Sequence, residues 1–195
     1  LERAGLDGPV LANMQSKLAF DWSADGRFLL YRDIDPRMGW DLWAVPLDGD
    51  RKPFLVAQTE FDERDAQFSP DGHWLAYSSD ESGTPETYVR SYPGPGGKTQ
   101  ISSGGGMNPI WSRSEHKLFY LTSDWRIMTV DYTISGDTFT AGKPRIWSEK
   151  QLAYLGGCYP YDLAPDGKRF AVVLNPAAAG EGGLSPTDSV SILLN

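Results

Sequence analysis

The stretch Asp65-Ala66-Gln67-Phe68-Ser69-Pro70-Asp71-Gly72-His73-Trp74-Leu75-Ala76-Tyr77-Ser78-Ser79 reads as a short strand, a four-residue turn and an aromatic-rich second strand. Pro70 presets φ for the second turn position, Asp71 can bond its own backbone, and Gly72 accepts a positive φ without a Cβ clash. An antiparallel hairpin follows.

The unit recurs. Asp21-Trp22-Ser23-Ala24-Asp25-Gly26 precedes Arg27-Phe28-Leu29-Leu30-Tyr31, and Asp162-Leu163-Ala164-Pro165-Asp166-Gly167 precedes Lys168-Arg169-Phe170-Ala171-Val172. A degraded copy, Ile110-Trp111-Ser112-Arg113-Ser114-Glu115, precedes His116-Lys117-Leu118-Phe119-Tyr120. Aligned turn positions fall at Asp25, Asp71, Ser114 and Asp166, in steps of 46, 43 and 52 residues. A period of roughly 40 to 50 residues with about four strands per unit is the mark of propeller blades. Connections of hairpin length imply an antiparallel meander, because parallel crossovers need about a dozen residues or more. The expected fold class is therefore all-β. One antiparallel propeller domain spans 1–195, with repeats at about 17–60, 61–106, 107–150 and 157–195. Repeat three is read with a long loop from Thr133 to Pro144, and repeat four stops at three strands. A strand over Pro9 to Asn13 can fill the fourth place and close a four-bladed ring. The alternative is a larger ring, whose open strand edges pair with further sequence or with a second copy, making a homo-oligomer.

A hydrophobic content of 40% excludes a disordered chain, while 21 Gly and 14 Pro suit many tight turns rather than long helices. The net charge of −8 and a sequence pI near 4.7 argue against nucleic acid as a partner, and no local basic patch offsets them. No apolar run reaches 18 residues, so insertion of this chain into a membrane is not expected, and no signal-like segment is evident. A start at Leu1 without Met suits an excised or processed piece. Cys158 stands alone, so no intrachain disulfide or cysteine-rich metal site forms.

The runs Trp22 to Tyr31 and Phe68 to Asp80 resemble the WD40-like β-propeller repeat of TolB. Glu86-Thr87-Tyr88-Val89-Arg90-Ser91-Tyr92-Pro93-Gly94-Pro95-Gly96-Gly97-Lys98 is similar to TolB-like propeller regions at the C-terminus of some bacterial serine/threonine kinases. The resemblance covers most of the chain from Lys17 onward. It implies a rigid binding or sensing module that takes a protein or peptide partner, or a small molecule, and an extracytoplasmic, periplasmic location. The same blades also occur in the propellers of prolyl-oligopeptidase-type peptidases, so the motif is specific for fold and not for function.

Catalytic motifs are sparse. No Gly-rich loop with a Val-Ala-Ile-Lys-type strand, His-Arg-Asp loop or Asp-Phe-Gly occurs, so kinase chemistry has no seat in this chain. No Gly-x-Ser-x-Gly elbow occurs either. A hydrolase acting on ester or peptide bonds is the alternative reading, with His73 or His116 as base. Both histidines share one repeat position with Arg27 and Lys168, which reads as a solvent-facing turn exit. Asp21 with Asp25, and Asp162 with Asp166, share an Asp-x-x-x-Asp-Gly spacing but lack the alternating ligands and closing Glu of a calcium loop. No cofactor or metal is expected, and nothing in the spacing favours a paired-carboxylate glycosidase.

Aromatic residues at matching positions, Trp22 with Trp111 and Tyr31 with Tyr77 and Tyr120, are expected to pack between blades. Trp40, Trp125, Tyr92 and Tyr154 fall outside that register and are the candidates for an exposed face. Ligands of propellers tend to sit over the central channel, where the innermost strands begin. The candidate binding residues are therefore Arg64 and Asp65, Asn108, Tyr159 and Tyr161, with Asp21 as the counterpart in repeat one.

Overall fold

The computed structural model describes residues 17–35, 39–94, 96–156, 159–175 and 190–194. The strand expected at Pro9 to Asn13 lies outside them. Four antiparallel sheets follow one another along the chain. Blade 1 runs β1 (Lys17–Trp22), β2 (Phe28–Asp35), β3 (Gly39–Pro46) and β4 (Phe54–Ala57) in spatial order. Blade 2 repeats this with β5 (Glu63–Phe68), β6 (Trp74–Ser79), β7 (Glu86–Ser91) and β8 (Lys98–Gln100). Blade 3 is β9 (Met107–Trp111), β10 (Lys117–Leu121), β11 (Ile127–Ser135), β12 (Thr138–Ala141) and β13 (Arg145–Ser148). Blade 4 has β14 (Tyr161–Leu163), β15 (Arg169–Val173) and β16 (Val190–Leu194). No helix among the described residues is long and apolar enough to cross a membrane.

The hairpin between β5 and β6 closes as its residues dictate. The Gly72 N–H donates to the Ser69 carbonyl at 2.9 Å, the Ser69 N–H to the Trp74 carbonyl at 2.8 Å, and the His73 N–H to Asp71 Oδ1 at 3.0 Å. Gly72 sits at φ +73° with no atom within 4 Å of a hypothetical Cβ, whereas a Cβ on Gly167, at φ +72°, would meet Ser114 Oγ at 2.2 Å. Gly72→Ala is therefore expected to cost about 1 kcal/mol of unfolding free energy, the left-handed strain alone. Gly167→Ala should cost clearly more in the same urea titration. Equal losses would show that the Ser114 contact yields freely. That contact gives the degraded turn of blade 3 a purpose, since the Ser114 hydroxyl donates to the Asp166 carbonyl at 3.0 Å and ties two neighbouring turns together.

Apolar residues on both sheet faces build three interfaces. Leu75 and Tyr77 of β6 face blade 1 and meet Leu30, Leu42 and Ala44. Trp74 and Ala76, on the opposite face, meet Trp111, Leu118 and Tyr120 of blade 3. Phe119 and Leu121 then meet Tyr161, Phe170 and Val172 of blade 4. Leu75, Leu118, Phe119 and Phe170 are completely buried or nearly so, each contributing about 1.5 to 3 kcal/mol through removal from water.

A polar residue stands at or beside the start of the third strand in each of the first three blades. Glu86, buried, accepts the Gly104 N–H at 2.7 Å, the Gly105 N–H at 2.9 Å and the Ser102 hydroxyl. Asp41, at the same register in blade 1, accepts Gln58 Nε2 at 2.8 Å. In blade 3 the sign reverses, and Arg126 donates to Glu149 at 3.1 Å. Glu86 and Asp41 bond the links that lead to the next blades' inner strands, whereas the Arg126–Glu149 pair lies at the surface.

The structure corrects three expectations. The loop from Thr133 to Pro144 contains β12, which pairs with the end of β11 and buries Phe139 beside Trp74, Trp111 and Tyr132. Trp22 is 57% exposed where its counterparts Phe68 and Trp111 are 6% and 4% exposed, because no described blade covers its face. Tyr92 is buried among Phe28, Phe54 and Phe68 rather than presented to solvent. Among the other three, Tyr154 is exposed and its ring lies 5.2 Å from that of Trp125, while Trp40 is half-buried beneath the Arg32 guanidinium.

Candidate functional site

The innermost strands β1, β5, β9 and β14 all contribute to one cavity. Asp21, Gln67, Ile110 and Asp162 occupy one repeat position on these strands and line a common cavity of about 470 Å³. Trp22, Phe68, Trp111 and Leu163, one residue further along each strand, complete its wall with Arg113. Higher in the channel, Gln67, Ile110 and Asp162 also border a second cavity of about 410 Å³ with Phe20, Tyr159 and Tyr161.

Asp21 is held within this wall. Its Oδ2 accepts the Phe68 N–H at 2.9 Å, which stitches blade 1 to blade 2. Burial raises its pKa, opposed by the backbone N–H donors of Phe68 and Trp22 and by the Arg113 charge. Arg113 stands where Pro70 stands in repeat two, so the loss of the Pro-Asp-Gly turn places a guanidinium at the channel mouth. Trp111 is fixed by its own Nε1–H, which donates to the Gln67 carbonyl at 3.2 Å.

At the other end, Asp65 and Asn108 share a repeat position and a backbone signature, with φ of 56° and 52° beside register shifts in both inner strands. Asparagine and aspartate tolerate this left-handed region better than other side chains. Burial raises the Asp65 pKa, against hydrogen bonds from Ser78 and the Asn108 backbone and the charges of Arg64 and Arg32. The Tyr159 hydroxyl lies 3.5 Å from Asp65 Oδ1, and the Tyr161 hydroxyl donates to the Asn108 carbonyl.

Four of the six expected residues thus converge: Asp65, Asn108, Tyr159 and Tyr161. Tyr161 is buried, stacked on Phe170, and serves the interface between blades 3 and 4. Arg64 turns aside to Asp62, 3.5 Å away. Asp21 belongs to the opposite mouth, because its register partner is Gln67 and that of Asp65 is Ala19, two residues earlier on β1. The residues missed from sequence are Gln67, Ile110, Arg113 and Asp162. Their alignment one place before Phe68, Trp111 and Leu163, or at the proline of the turn, was the available signal.

His73 and His116 lie outside the channel and are exposed at the turn exits. The His116 ring stacks on Tyr132 at 5.2 Å, and neither imidazole hydrogen-bonds a serine among the described residues. No group of three or more His, Cys, Asp or Glu among the described residues is placed to hold a metal ion.

Four antiparallel blades around a side-chain-lined channel define a β-propeller. No family model and no curated protein matches the chain. Solved structures do. TolB from Acinetobacter baumannii matches with a TM-score of 0.61 at 18% identity over 95% of this chain and 45% of its own. A puromycin-hydrolysing peptidase from Mycobacterium tuberculosis matches at 0.58 and 21% identity over 81% of this chain and 28% of its own. A periplasmic gluconolactonase from Pseudomonas aeruginosa matches at 0.50 and 15% identity over 78% of this chain and 48% of its own. The chain has the TolB-like β-propeller fold, and it spans about half or less of the length of these structures.

Proposed function

We propose that the chain is a non-catalytic binding module that takes a protein or peptide segment at the mouth of its central channel. The observation behind this reading is the cavity to which all four blades contribute, with Asp21, Asp162 and Gln67 as hydrogen-bonding groups, Arg113 as an anion anchor and Trp22 as an exposed apolar wall. A few placed polar groups on an aromatic surface suit a peptide, whose backbone offers donors and acceptors alternately. The hydrolase reading has less support, because the two histidines lie away from this cavity and neither hydrogen-bonds a serine among the described residues.

The test is to select peptides from a random display library on the purified chain and to titrate the best against Arg113→Ala and Asp162→Asn. Binding weakened about tenfold or more, near 1.4 kcal/mol, is expected in at least one variant. Unchanged affinity in both would move the site elsewhere. Turnover of an activated ester, present in the parent and lost with His73→Ala and His116→Ala together, would replace the binding reading by the hydrolase.

A further inference from the structure

The cavity at the mouth opens sideways along one seam between blades. Between blades 3 and 4 the two turns are tied, the Ser114 hydroxyl donating to the Asp166 carbonyl at 3.0 Å. Between blades 2 and 3 no hydrogen bond among the described residues joins the turn at 69–72 to the turn at 112–115, and a cavity of about 410 Å³ lies between them with Tyr132 and Ile134 of β11 in its wall. Pro70 and Arg113 border both this cavity and the one at the mouth, so the two are continuous. Asp71 and Ile134 in turn border a third cavity of about 450 Å³ that reaches Asp137 in the turn between β11 and β12. One groove therefore leads from the mouth outward along the seam between two blades that both have neighbours.

The charge along this groove changes sign. Arg113 at its inner end is exposed, as are Asp71 and Asp137 further out, and none of the three makes an ion pair among the described residues. Glu115, by contrast, is taken by Lys117. Exposed Pro70 and half-buried Ile134 offer apolar surface between the charges, on which the stem of a long cationic side chain can lie while its head reaches a carboxylate. We propose that the peptide segment bound at the mouth continues outward along this seam, setting an acidic side chain against Arg113 and, further along, a basic side chain against Asp71 and Asp137. The inference rests on the reading that the mouth takes a peptide, and adds the path and the charge order of that ligand. The reverse order would place like charges together at both points, so the groove acts as a specificity filter more than as a source of bulk affinity.

The experiment selects dodecapeptides from a random display library on the full 195-residue chain and titrates the tightest of them against Arg113→Ala, Asp162→Asn and the double variant Asp71→Asn with Asp137→Lys. Asparagine at 71 keeps the oxygen that accepts the Ser69 hydroxyl and the His73 N–H, and Asp137 is exposed in its turn, so neither change removes a hydrogen bond of the fold. Each peptide is also made with its basic residue replaced by glutamate. On the parent this replacement is expected to weaken binding about tenfold, and on the double variant the order of the two peptides should reverse. Damage to the fold would weaken both peptides alike and cannot reverse them. If Arg113→Ala and Asp162→Asn weaken binding while the two peptides keep the same ratio on the double variant as on the parent, the mouth binds a peptide, the seam does not, and this proposal alone falls. Selected peptides that lack a basic residue would overturn it in the same way. If no peptide is enriched, or no variant changes affinity, the mouth reading falls and this one with it.

Discussion

Glu86→Ala is expected to lower the unfolding free energy by about 3 to 5 kcal/mol, a drop of roughly 10 °C in Tm for a chain of this size. The carboxylate is 3% exposed and meets the Gly104 N–H, the Gly105 N–H and the Ser102 hydroxyl. Truncation strands the Gly105 N–H and the Ser102 hydroxyl, both of buried residues, and each unmade bond costs about 1 to 3 kcal/mol. The loop cannot simply reform around the gap. Gly104 and Gly105 hold φ of +83° and +113°, and the Ser102 hydroxyl oxygen also accepts the Thr87 N–H at 2.8 Å. Glu81 provides the control, because its pairing with Lys98 is at the surface and such pairs contribute at most about 1 kcal/mol. Urea midpoints for Glu86→Ala and Glu81→Ala measure the difference. Similar losses would mean that the buried carboxylate does not hold the link between blades 2 and 3.

Much of the fold was legible because its signals are local. Ser69, Pro70, Asp71 and Gly72 define a turn by their own backbone chemistry, and three related copies at regular spacing force the blade reading. Tyr77 and Tyr120 proved to be packing residues, as their shared register implied. The strand β12 was missed because the turn at Ser135-Gly136-Asp137 does not match the repeat, although Phe139 between Thr138 and Thr140 alternates as a strand does. The anchor at Glu86 was equally hidden. A lone acid opening a strand looks like a solvated residue until the three consecutive glycines at 104–106 are seen to wrap it.

The channel was legible in location and less so in membership. Asp65, Asn108 and Tyr159 lie together at one end of the inner strands, whereas Asp21, aligned by its turn, shares the repeat position of Gln67 towards the other end. Register shifts interrupt β1, β5 and β9 alike near this point, and no local residue type announces them. Trp22 carries a similar lesson. Identity of repeat position fixes which face a side chain occupies, whereas burial needs a neighbour on that face, and only the described interfaces between blades 1 and 2, 2 and 3, and 3 and 4 supply one.

Stability should fall as pH rises from about 4.5 to about 7, and Glu63→Gln should remove most of that slope. Glu63 opens β5 at 1% exposure, and its Oε1 accepts the Thr59 hydroxyl while Oε2 has no hydrogen-bond partner among the described residues. Burial pushes its pKa from 4.5 up to about 7, with the carboxylates of Asp41 and Glu81 adding to the rise and the Thr59 hydrogen bond opposing it. Below about pH 4.5 the group is protonated in both folded and unfolded chains, and no penalty exists. Between 4.5 and 7 the unfolded chain releases its proton while the folded chain keeps it, so stability declines, and above 7 the folded state carries the full cost of a buried charge. At 1.36 kcal/mol per pKa unit, the loss approaches about 3 kcal/mol. Asp21, Asp41 and Asp65, also raised by burial, remain in the variant, so the difference between the two profiles reports Glu63 together with its coupling to Asp41. Urea denaturation of both proteins from pH 4 to 8 should show curves that converge at the acid end and separate by about 3 kcal/mol at the alkaline end, the variant being the more stable. Parallel curves across that range would mean that Glu63 titrates alike in the folded and unfolded chains, as a solvated carboxyl does.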